Sequence, residues 1–276
     1  MSIEEREASV DGIGVRYWEG GTGLPLLLIH GSGPGASTLG YWRLVLPPLC
    51  EDFHVIAADL IGFGRSGRKP TPPFFDIDLW LRQCRSMLDL FGADRVAVMG
   101  HSISATLALR LAATDKRVVR VLTTGAMGAH FPANEDTRRV WTFPETREEL
   151  RRTAQCLFYD GSAITDEYLD GRMAVLHAGG YAEYFRSMFA GDKQAFIDAA
   201  IVSAADLAAV TCPVLMLHGR DDRPFPFAQT TLEIARSLPQ ADIVALSQCG
   251  HSPALEHPEK LVAVARHFFQ ASAGAR

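Results

Sequence analysis

Short runs of apolar residues alternate with helix-like stretches along most of the chain. The strand-like runs lie near Val15–Tyr17, Leu26–Ile29, His54–Ala57, Val96–Met99, Val118–Leu122, Val214–Leu217 and Ile243–Leu246. Strands that alternate with helices in this way are typical of a parallel sheet with helices packed against it. The pattern therefore predicts an α/β protein whose central sheet is mostly parallel and flanked by helices.

The alternation stops between about residues 128 and 206. The clearest amphipathic helical stretches of this segment are Thr146–Phe158, Asp166–His177 and Tyr181–Phe189. We therefore predict two units, a core made of residues 1–127 and 207–276 and a helical unit made of residues 128–206.

One strand-turn-helix segment carries a serine at its apex. The buried run Val96–Met99 leads through Gly100 to Ser102, and an Ala- and Leu-rich helix is predicted over Ile103–Ala113. The sharp turn holds the hydroxyl clear of its own backbone, and small residues two positions on either side let strand and helix pack closely. Ser104 stands in place of the second glycine of the usual G-x-S-x-G pattern and is small enough to fit. The segment is typical of the nucleophile elbow of α/β-hydrolases.

An elbow serine needs a base and a carboxylate that orients the base, in the chain order serine, acid, histidine. Asp221 and Asp222 follow the next-to-last apolar run, and His251 follows the last one. The acid of this fold usually falls in G-x-x-D-x-x-x-P, which the segment starting at Gly219 satisfies only with Asp222. Ser102, Asp222 and His251 are therefore the predicted triad, with Asp221 as a turn carboxylate. Four other histidines are interpreted as structural residues that form hydrogen bonds: His30, His101, His218 and His257.

A glycine-rich loop follows the run Leu26–Ile29 and reads H-G-S-G-P-G-A-S over His30–Ser37. Acyl transfer builds negative charge on a carbonyl oxygen, and one backbone N–H aimed at that oxygen is worth about 2.7–4 kcal/mol. The amides of Ile103 and of Ser32 or Gly33 are the predicted donors. A phosphate site is a weaker interpretation, because neither G-K-[ST] nor G-x-G-x-x-G follows.

Composition and charge argue against several classes of protein. The chain has 276 residues, a net charge of −5 and scattered Lys and Arg, which argues against a nucleic-acid partner. No run of about 18 apolar residues suggests a membrane span, and the acidic N-terminus lacks a signal-peptide pattern. Five cysteines, an odd number, fit a reducing compartment, so we predict a cytoplasmic protein. Cys249 is the cysteine whose reactivity is of interest, and no metal or cofactor is expected.

Several segments resemble one family of serine hydrolases, the meta-cleavage-product hydrolases. The resemblance is carried by His30–Ala36, Tyr41–Leu44, Ala58–Ser66, Leu169–Met173 and Tyr184–Phe189. These enzymes cut a carbon–carbon bond in the ring-opened products of catechol degradation. The resemblance implies an α/β-hydrolase fold with a helical cap inserted after strand six, and a homo-oligomer.

The resemblance also implies substrate-binding residues. The arginine matching Arg172 reaches from the cap to the carboxylate of the dienoate substrate, and the serine matching Ser32 holds a substrate oxygen. Two positions depart from the family pattern, since His101 replaces an Asn and Ser252 replaces a Trp. Both positions are expected to touch the substrate. Candidate pocket residues of the cap, each of which could equally be cap core, are Phe131, Trp141, Met173 and Phe185.

The predicted function is hydrolysis of a carbon–carbon bond in a 2-hydroxy-6-oxo-hexa-2,4-dienoate. The alternative is a carboxylesterase or enol-lactonase that uses the same triad on a C–O bond. A ligand-binding protein without catalysis is a third interpretation, opposed by the complete set of triad residues and the glycine loop. Dehalogenase and epoxide-hydrolase chemistry would need an aspartate in place of Ser102.

Overall fold

The computed structural model describes residues 2–271 of the chain. Within them, eight strands form one sheet in the order β1-β2-β4-β3-β5-β6-β7-β8. The strands are β1 Ile3–Val10, β2 Ile13–Gly20, β3 Leu24–Ile29, β4 Phe53–Ala58, β5 Val96–His101, β6 Val118–Thr124, β7 Val214–Gly219 and β8 Ala241–Leu246. β2 is antiparallel to both of its neighbours, and the other neighbouring strands are parallel. The prediction of a mostly parallel sheet is confirmed.

Each of the seven predicted apolar runs lies within a strand. β1 was not predicted, because its sequence I-E-E-R-E-A-S-V is charged and its residues are mostly exposed. Its partner β2 is more buried and pairs with it over eight residues. An edge strand of this kind is held by pairing with its neighbour, so no apolar run marks it in the sequence.

Strands β5 and β7 are buried at every position, and β3 is buried at its last four. Successive side chains of a strand point to opposite faces, so burial of all of them means that both faces of the sheet are covered. Helices provide this cover, as predicted. The four segments predicted to be functional each follow the carboxyl end of a strand. The glycine-rich loop follows β3, the elbow follows β5, the Asp222 loop follows β7 and the His251 loop follows β8.

Thirteen α-helices occur within residues 2–271, and none of them is both long and apolar enough to cross a membrane. They are α1 Thr38–Trp42, α2 Leu46–Cys50, α3 Ile77–Leu90, α4 Ile103–Thr114, α5 Glu135–Val140, α6 Arg147–Leu157, α7 Asp166–Leu176, α8 Tyr181–Met188, α9 Gln194–Ala199, α10 Ala204–Ala209, α11 Thr231–Arg236, α12 Pro253–Glu256 and α13 Pro258–Gln270. A 3₁₀ turn covers Gly161–Ala163. Six of the helices, α5 to α10, lie between β6 and β7.

The three helices predicted between β6 and β7 are present as α6, α7 and α8. Two of them begin after a threonine that caps the first turn. The Thr146 hydroxyl accepts a hydrogen bond from the Glu149 amide at 3.1 Å, and the Thr165 hydroxyl accepts one from the Tyr168 amide at 3.1 Å. Such a cap is worth about 1 kcal/mol because it satisfies an N–H group that the helix itself leaves free.

The inserted helices are hydrogen-bonded to the loops that follow β7 and β8. The His251 amide donates to the Leu157 carbonyl at the end of α6, at 2.8 Å. The Thr137 hydroxyl of α5 donates to the Pro224 carbonyl at 2.6 Å. The segment between β6 and β7 therefore lies over the carboxyl edge of the sheet, beside the predicted triad.

Candidate active site

The turn between β5 and α4 holds Ser102 in a strained conformation. Its φ is 59° and its ψ is −122°, a region that residues other than glycine rarely adopt. The Ser102 amide donates to the Thr124 carbonyl at 2.9 Å, which anchors the turn to β6. Gly100 is required beside it, because a Cβ there would lie 2.2 Å from the Ser104 carbonyl oxygen. The strand-turn-helix geometry therefore matches the predicted elbow.

Ser104 occupies the position of the second glycine without disturbing the elbow. Its side chain is fully buried, and its hydroxyl donates to the His30 carbonyl at 2.5 Å. This bond ties α4 to the start of the glycine-rich loop. Ser104 is therefore a structural residue, and its hydroxyl does not face the base.

Three side chains form a continuous hydrogen-bonded chain in the elbow. The Ser102 Oγ lies 3.0 Å from the His251 Nε2, and the His251 Nδ1 lies 2.6 Å from the Asp222 Oδ2. All three residues are at most 4% exposed. Asp221 is exposed, and its amide donates to the Cys249 carbonyl, so the structure brings Asp222 and not its neighbour to the histidine.

Asp222 is held as a carboxylate. Burial alone would raise its pKa, but the charge of His251 and hydrogen bonds from His218 and His251 outweigh burial and lower the pKa to about 2. The ionised carboxylate accepts the hydrogen on the His251 Nδ1. The Nε2 is then left with its lone pair towards the Ser102 hydroxyl, which is the tautomer that general-base catalysis needs.

His218, interpreted from the sequence as a hydrogen-bonding residue, is a second partner of the same carboxylate; the sequence did not identify Asp222 as that partner. Its Nε2 lies 3.0 Å from both the Asp222 Oδ2 and the Phe225 carbonyl oxygen, and its Nδ1 lies 2.7 Å from the Thr231 hydroxyl. A carbonyl oxygen accepts only, so the Nε2 carries the hydrogen and donates to Asp222. The signal in the sequence is a histidine that ends β7 four residues before the acid.

The glycine-rich loop runs directly against the elbow. A Cβ on Gly31 would lie 2.9 Å from the Ser102 Cβ, so only glycine allows this close approach. Ser32 and Gly33 follow and line the same cavity as Ser102. Ile103 is the first residue of α4, so its N–H stands outside the hydrogen-bond pattern of that helix.

A central cavity lies at the junction of the elbow, the loop and the inserted helices. It is lined by His30, Gly31, Ser32, Gly33, Ala36, Tyr41, His101, Ser102, Val140, Trp141, Leu157, Arg172, Phe225, His251 and Ser252. Its free volume is about 30 Å³, which is enough for only a few water molecules. The cavity is therefore small, and a ligand larger than water needs the inserted helices or a lining side chain to move.

Arg172 reaches the central cavity from α7. It is 7% exposed, its Nη1 donates to the Pro34 carbonyl at 2.5 Å, and its guanidinium lies 4.9 Å from the centre of the Tyr168 ring. Among the described residues, its Nε has no hydrogen-bond partner. A buried guanidinium nitrogen left without a partner is costly, and a carboxylate would satisfy it.

The His101 imidazole lines the central cavity, stacked on Tyr41 with the ring centres 3.7 Å apart. Its Nδ1 lies 3.1 Å from both the carbonyl and the hydroxyl oxygen of Thr124, so the hydrogen is on Nδ1. Burial, and then the charge of the nearby His251, hold the pKa of His101 well below its ordinary value. His101 is therefore neutral, and its Nε2 is an acceptor only, whereas an asparagine would offer both a donor and an acceptor.

The four candidate pocket residues of the inserted helices differ in position. Trp141 lines the central cavity and donates from its Nε1 to the Ser32 hydroxyl at 3.2 Å. Phe131, Met173 and Phe185 do not line it; Phe131 packs edge-on against Phe225. Four further lining residues were not predicted as pocket residues, because only the tertiary fold brings them together: Tyr41, Val140, Leu157 and Phe225. Ser252 also lines the cavity.

The loop that carries His251 is held by a partly buried glutamate. The Glu256 carboxylate accepts hydrogen bonds from the amides of Gly250 at 2.9 Å, Ser252 at 3.2 Å and Tyr159 at 2.7 Å. Tyr159 lies two residues after the end of α6, in the inserted segment. Glu256 therefore joins the histidine loop to the inserted helices, a role that sequence reasoning also missed.

Cys249 is not a reactive thiol. Burial raises its pKa, and the neighbouring charge of Glu256 raises it further. A thiol whose pKa is raised is mostly protonated near neutral pH, and the thiolate is the nucleophilic form.

Within residues 2–271, no group of three His, Cys, Asp or Glu side chains is arranged to hold a metal ion.

Comparison with known proteins identifies the family. The alpha/beta hydrolase family model matches residues 26–264. The chain is 32% identical to the 2-hydroxymuconate semialdehyde hydrolase of Pseudomonas sp. strain CF600, over 95% of this chain and 93% of that protein. It is 31% identical to a 2-hydroxy-6-oxo-2,4-heptadienoate hydrolase of Pseudomonas putida, over 94% of both proteins.

Solved structures agree with the sequence relatives. A variant of the meta-cleavage product hydrolase CumD from Pseudomonas fluorescens IP01, complexed with acetates, superposes with a TM-score of 0.90. The two sequences are 29% identical, and the match covers 96% of this chain and 97% of that one. The chain therefore belongs to the alpha/beta hydrolase family and, within it, to the meta-cleavage product hydrolases.

Proposed function

We propose that this protein hydrolyses a carbon–carbon bond in a 2-hydroxy-6-oxo-hexa-2,4-dienoate, with Ser102 as nucleophile, His251 as general base and Asp222 as the orienting carboxylate. The observation that carries the proposal is the position of Arg172. Its buried guanidinium, with an unpartnered Nε, lines the same small cavity as the Ser102–His251 pair. The names of the relatives, which describe hydrolases of such dienoates, support the same substrate class.

The proposed pose follows from the charges in the cavity. The carboxylate of the substrate lies at Arg172 and Ser32, where planar guanidinium chemistry favours bidentate binding. The 6-oxo oxygen lies among the amides of Ile103 and of Ser32 or Gly33. Donors in a small cavity with little water stabilise a developing oxyanion strongly, because they are already oriented before the reaction starts.

The first chemical step moves protons within the dienol. The 2-hydroxyl loses its proton and carbon 5 gains one, which converts the dienol into its 2-keto form. The neutral His101 Nε2 and Ser252 both line the cavity and are proposed to contact the substrate. An acceptor-only nitrogen suits a substrate group that donates, such as the 2-hydroxyl.

The second step breaks the carbon–carbon bond. Ser102 Oγ attacks carbon 6 while its proton passes to the His251 Nε2, and the oxyanion hole receives the negative charge. When the bond between carbons 5 and 6 breaks, its electron pair passes into the conjugated 2-keto acid, and the resulting dienolate takes the proton from His251 and leaves as the 2-hydroxydienoate. Neutral His251 then accepts a proton from the water that attacks the acyl carbon, and it returns that proton to the Ser102 oxygen as the acid is released. The products are a 2-hydroxydienoate and a carboxylic acid set by the substituent on carbon 6.

The domain arrangement is part of the proposal. Residues 1–127 and 207–276 would form the catalytic core, and residues 128–206 would form the cap. In support, the inserted helices supply both Trp141 and Arg172 to the central cavity.

A homo-oligomer is proposed on family resemblance alone. A reducing, cytoplasmic location is supported by the five unpaired cysteines, which are Cys50, Cys84, Cys156, Cys212 and Cys249.

The proposed substrate class is tested by comparing carbon–carbon with ester cleavage. We expect rapid loss of the dienolate absorbance of 2-hydroxy-6-oxohepta-2,4-dienoate or its 6-phenyl analogue, and slower turnover of p-nitrophenyl acetate. The relative rates of the two dienoates rank the substituent on carbon 6. Ester turnover with both dienoates inert would favour a carboxylesterase or enol-lactonase. It would indicate that His101 and Ser252 belong to a pocket for a different substrate.

The role of Arg172 has its own test. An Arg172→Met variant keeps the length of the side chain but removes its charge and its donors. Loss of charge-assisted hydrogen bonds, each worth about 1.5–3 kcal/mol, is expected to lower kcat/KM for the dienoate by about 10- to 100-fold. Turnover of p-nitrophenyl acetate, which carries no carboxylate, is the control and should change little. An equal loss on both substrates would contradict carboxylate binding by Arg172.

A further inference from the structure

The residues that line the central cavity are almost all buried. Of the residues that line it within the described chain, Gly33 alone is not buried. Gly33 lies beside Arg172, since a Cβ on Gly33 would be 3.6 Å from the Arg172 Nη1. The cavity therefore comes nearest to solvent where the glycine-rich loop meets α7.

A surface cleft lies on the other side of the same arginine. This α1–α7 cleft has a free volume of about 230 Å³. Its lining residues are Ser37, Leu39, Gly40, Arg43, Glu167, Tyr168, Gly171 and Arg172. Arg172 is common to the cleft and the central cavity. Its guanidinium therefore stands at the boundary between the bulk solvent and Ser102.

The polar groups at this boundary suit the transfer of an anion. Arg172 is held on one side by the Pro34 carbonyl, while its buried Nε has no partner among the described residues. Arg43 adds a second arginine to the lining of the cleft, and its Nη1 donates to the Gly40 carbonyl at 3.1 Å. Two arginines along one cleft, one of them incompletely satisfied, attract a carboxylate.

Two further surface clefts do not offer such a path. One is lined by Asp160 and Glu256 and by no Lys or Arg, whereas in the α1–α7 cleft Glu167 is accompanied by Arg43 and Arg172. The other is lined by Asp76, Asp78 and Arg110. Neither shares a lining residue with the central cavity.

We propose that the α1–α7 cleft is the passage between solvent and the central cavity, and that the carboxylate end of the dienoate travels through it from Arg43 to Arg172. This inference rests on the proposed function. Arg172 has two successive roles in it: its guanidinium first meets the carboxylate from the cleft and then holds it in the cavity.

Gly171 allows the passage to be blocked without touching the site. It is exposed on α7, lines the cleft, and a Cβ there would meet no atom within 4 Å. The Cβ of a Gly171→Trp side chain therefore meets no neighbouring atom, and its ring is expected to obstruct the cleft. The change also replaces a residue that disfavours helix. Gly161→Trp is the matched control, because Gly161 is also exposed with nothing within 4 Å but lines none of these clefts.

The experiment measures binding in the Ser102→Ala background, where the dienoate is expected to bind without turnover. Stopped-flow absorbance of the 6-phenyl dienoate gives the association and dissociation rate constants for the parent, Gly171→Trp and Gly161→Trp proteins. A blocked passage slows approach and escape equally, so both constants should fall by about tenfold or more in Gly171→Trp while Kd changes by less than about twofold. Gly161→Trp should match the parent, and equal Tm values show that both variants are folded.

Three outcomes count against the passage. Unchanged rate constants in Gly171→Trp would place the route elsewhere. A weaker Kd caused by faster dissociation alone would make the cleft part of the bound site instead of a passage. No binding of the dienoate to the Ser102→Ala parent would overturn the proposed function, and with it this inference.

Discussion

A Ser102→Ala variant is expected to lower kcat for the dienoate by at least about 10³-fold, because removing the nucleophile of a triad eliminates most of the catalysis that the triad supplies. The Ser102 hydroxyl is the group that lies 3.0 Å from the His251 Nε2 at the apex of the strained turn. Steady-state loss of dienolate absorbance measures the effect. A serine-directed covalent probe should label the parent protein and fail to label the variant.

Ser104→Ala is the matched control for this prediction. Ser104 is two residues away and equally buried, but its hydroxyl donates to the His30 carbonyl and not to the base. Its loss removes one hydrogen bond worth about 1 kcal/mol of stability, so activity should stay within about tenfold of the parent. Full activity in Ser102→Ala would rule out the elbow serine as nucleophile. Absence of labelling in the parent would favour a ligand-binding protein.

An Asp222→Asn variant is expected to lower kcat by about 10⁴-fold, because an amide in place of the carboxylate favours the wrong histidine tautomer. The amide nitrogen would donate to the His251 Nδ1, and the hydrogen would move to Nε2, which could no longer accept the proton of Ser102. The measurement is kcat with the 6-phenyl dienoate. Asp221→Asn is the matched control, since Asp221 is the exposed neighbour. A comparable loss in Asp221→Asn would reverse the assignment of the two aspartates.

Asp222 should also make the free energy of unfolding depend on pH in the acidic range. The pKa of Asp222 is about 2 in the folded protein, below the ordinary 3.8 of an aspartate, so the folded state binds this proton less readily than the unfolded chain. Its contribution, about 2 kcal/mol, is present above about pH 4 and is lost as the pH falls towards 2. Urea unfolding at several acidic pH values should show this loss in the parent and a smaller one in Asp222→Asn.

The strands and the order of the triad were predictable because their signals are local. A buried strand such as β5 is a continuous apolar run, and the elbow around Ser102 is a short motif whose spacing follows from packing small residues against a turn. Asp222 could be chosen over Asp221 from a pattern of eight residues. The structure then brings Ser102 and Asp222 to His251 at hydrogen-bond distance.

The partners that hold these groups were not predictable in the same way. In the sequence Glu256 looks like an ordinary polar residue, and it gains part of its role from an atom far away along the chain. His218 lies four residues before Asp222, but the sequence does not show that the loop after β7 turns the carboxylate towards it. Glu256 meets the Tyr159 amide across 97 residues, and Trp141 meets Ser32 across 109. The charged strand β1 escaped notice because its place depends on a neighbour and not on burial.

The sequence by itself determined the fold class, the family and the candidate residues of the triad, because these depend on local periodicity and on short motifs whose geometry the backbone imposes. Only the tertiary structure decided that His101 is a neutral acceptor, that Arg172 lies between a small cavity and a surface cleft, and that Phe225 lines that cavity. Those properties depend on burial and on electrostatic contacts between distant segments. Burial and these electrostatic contacts are both set only when the chain packs into its tertiary structure.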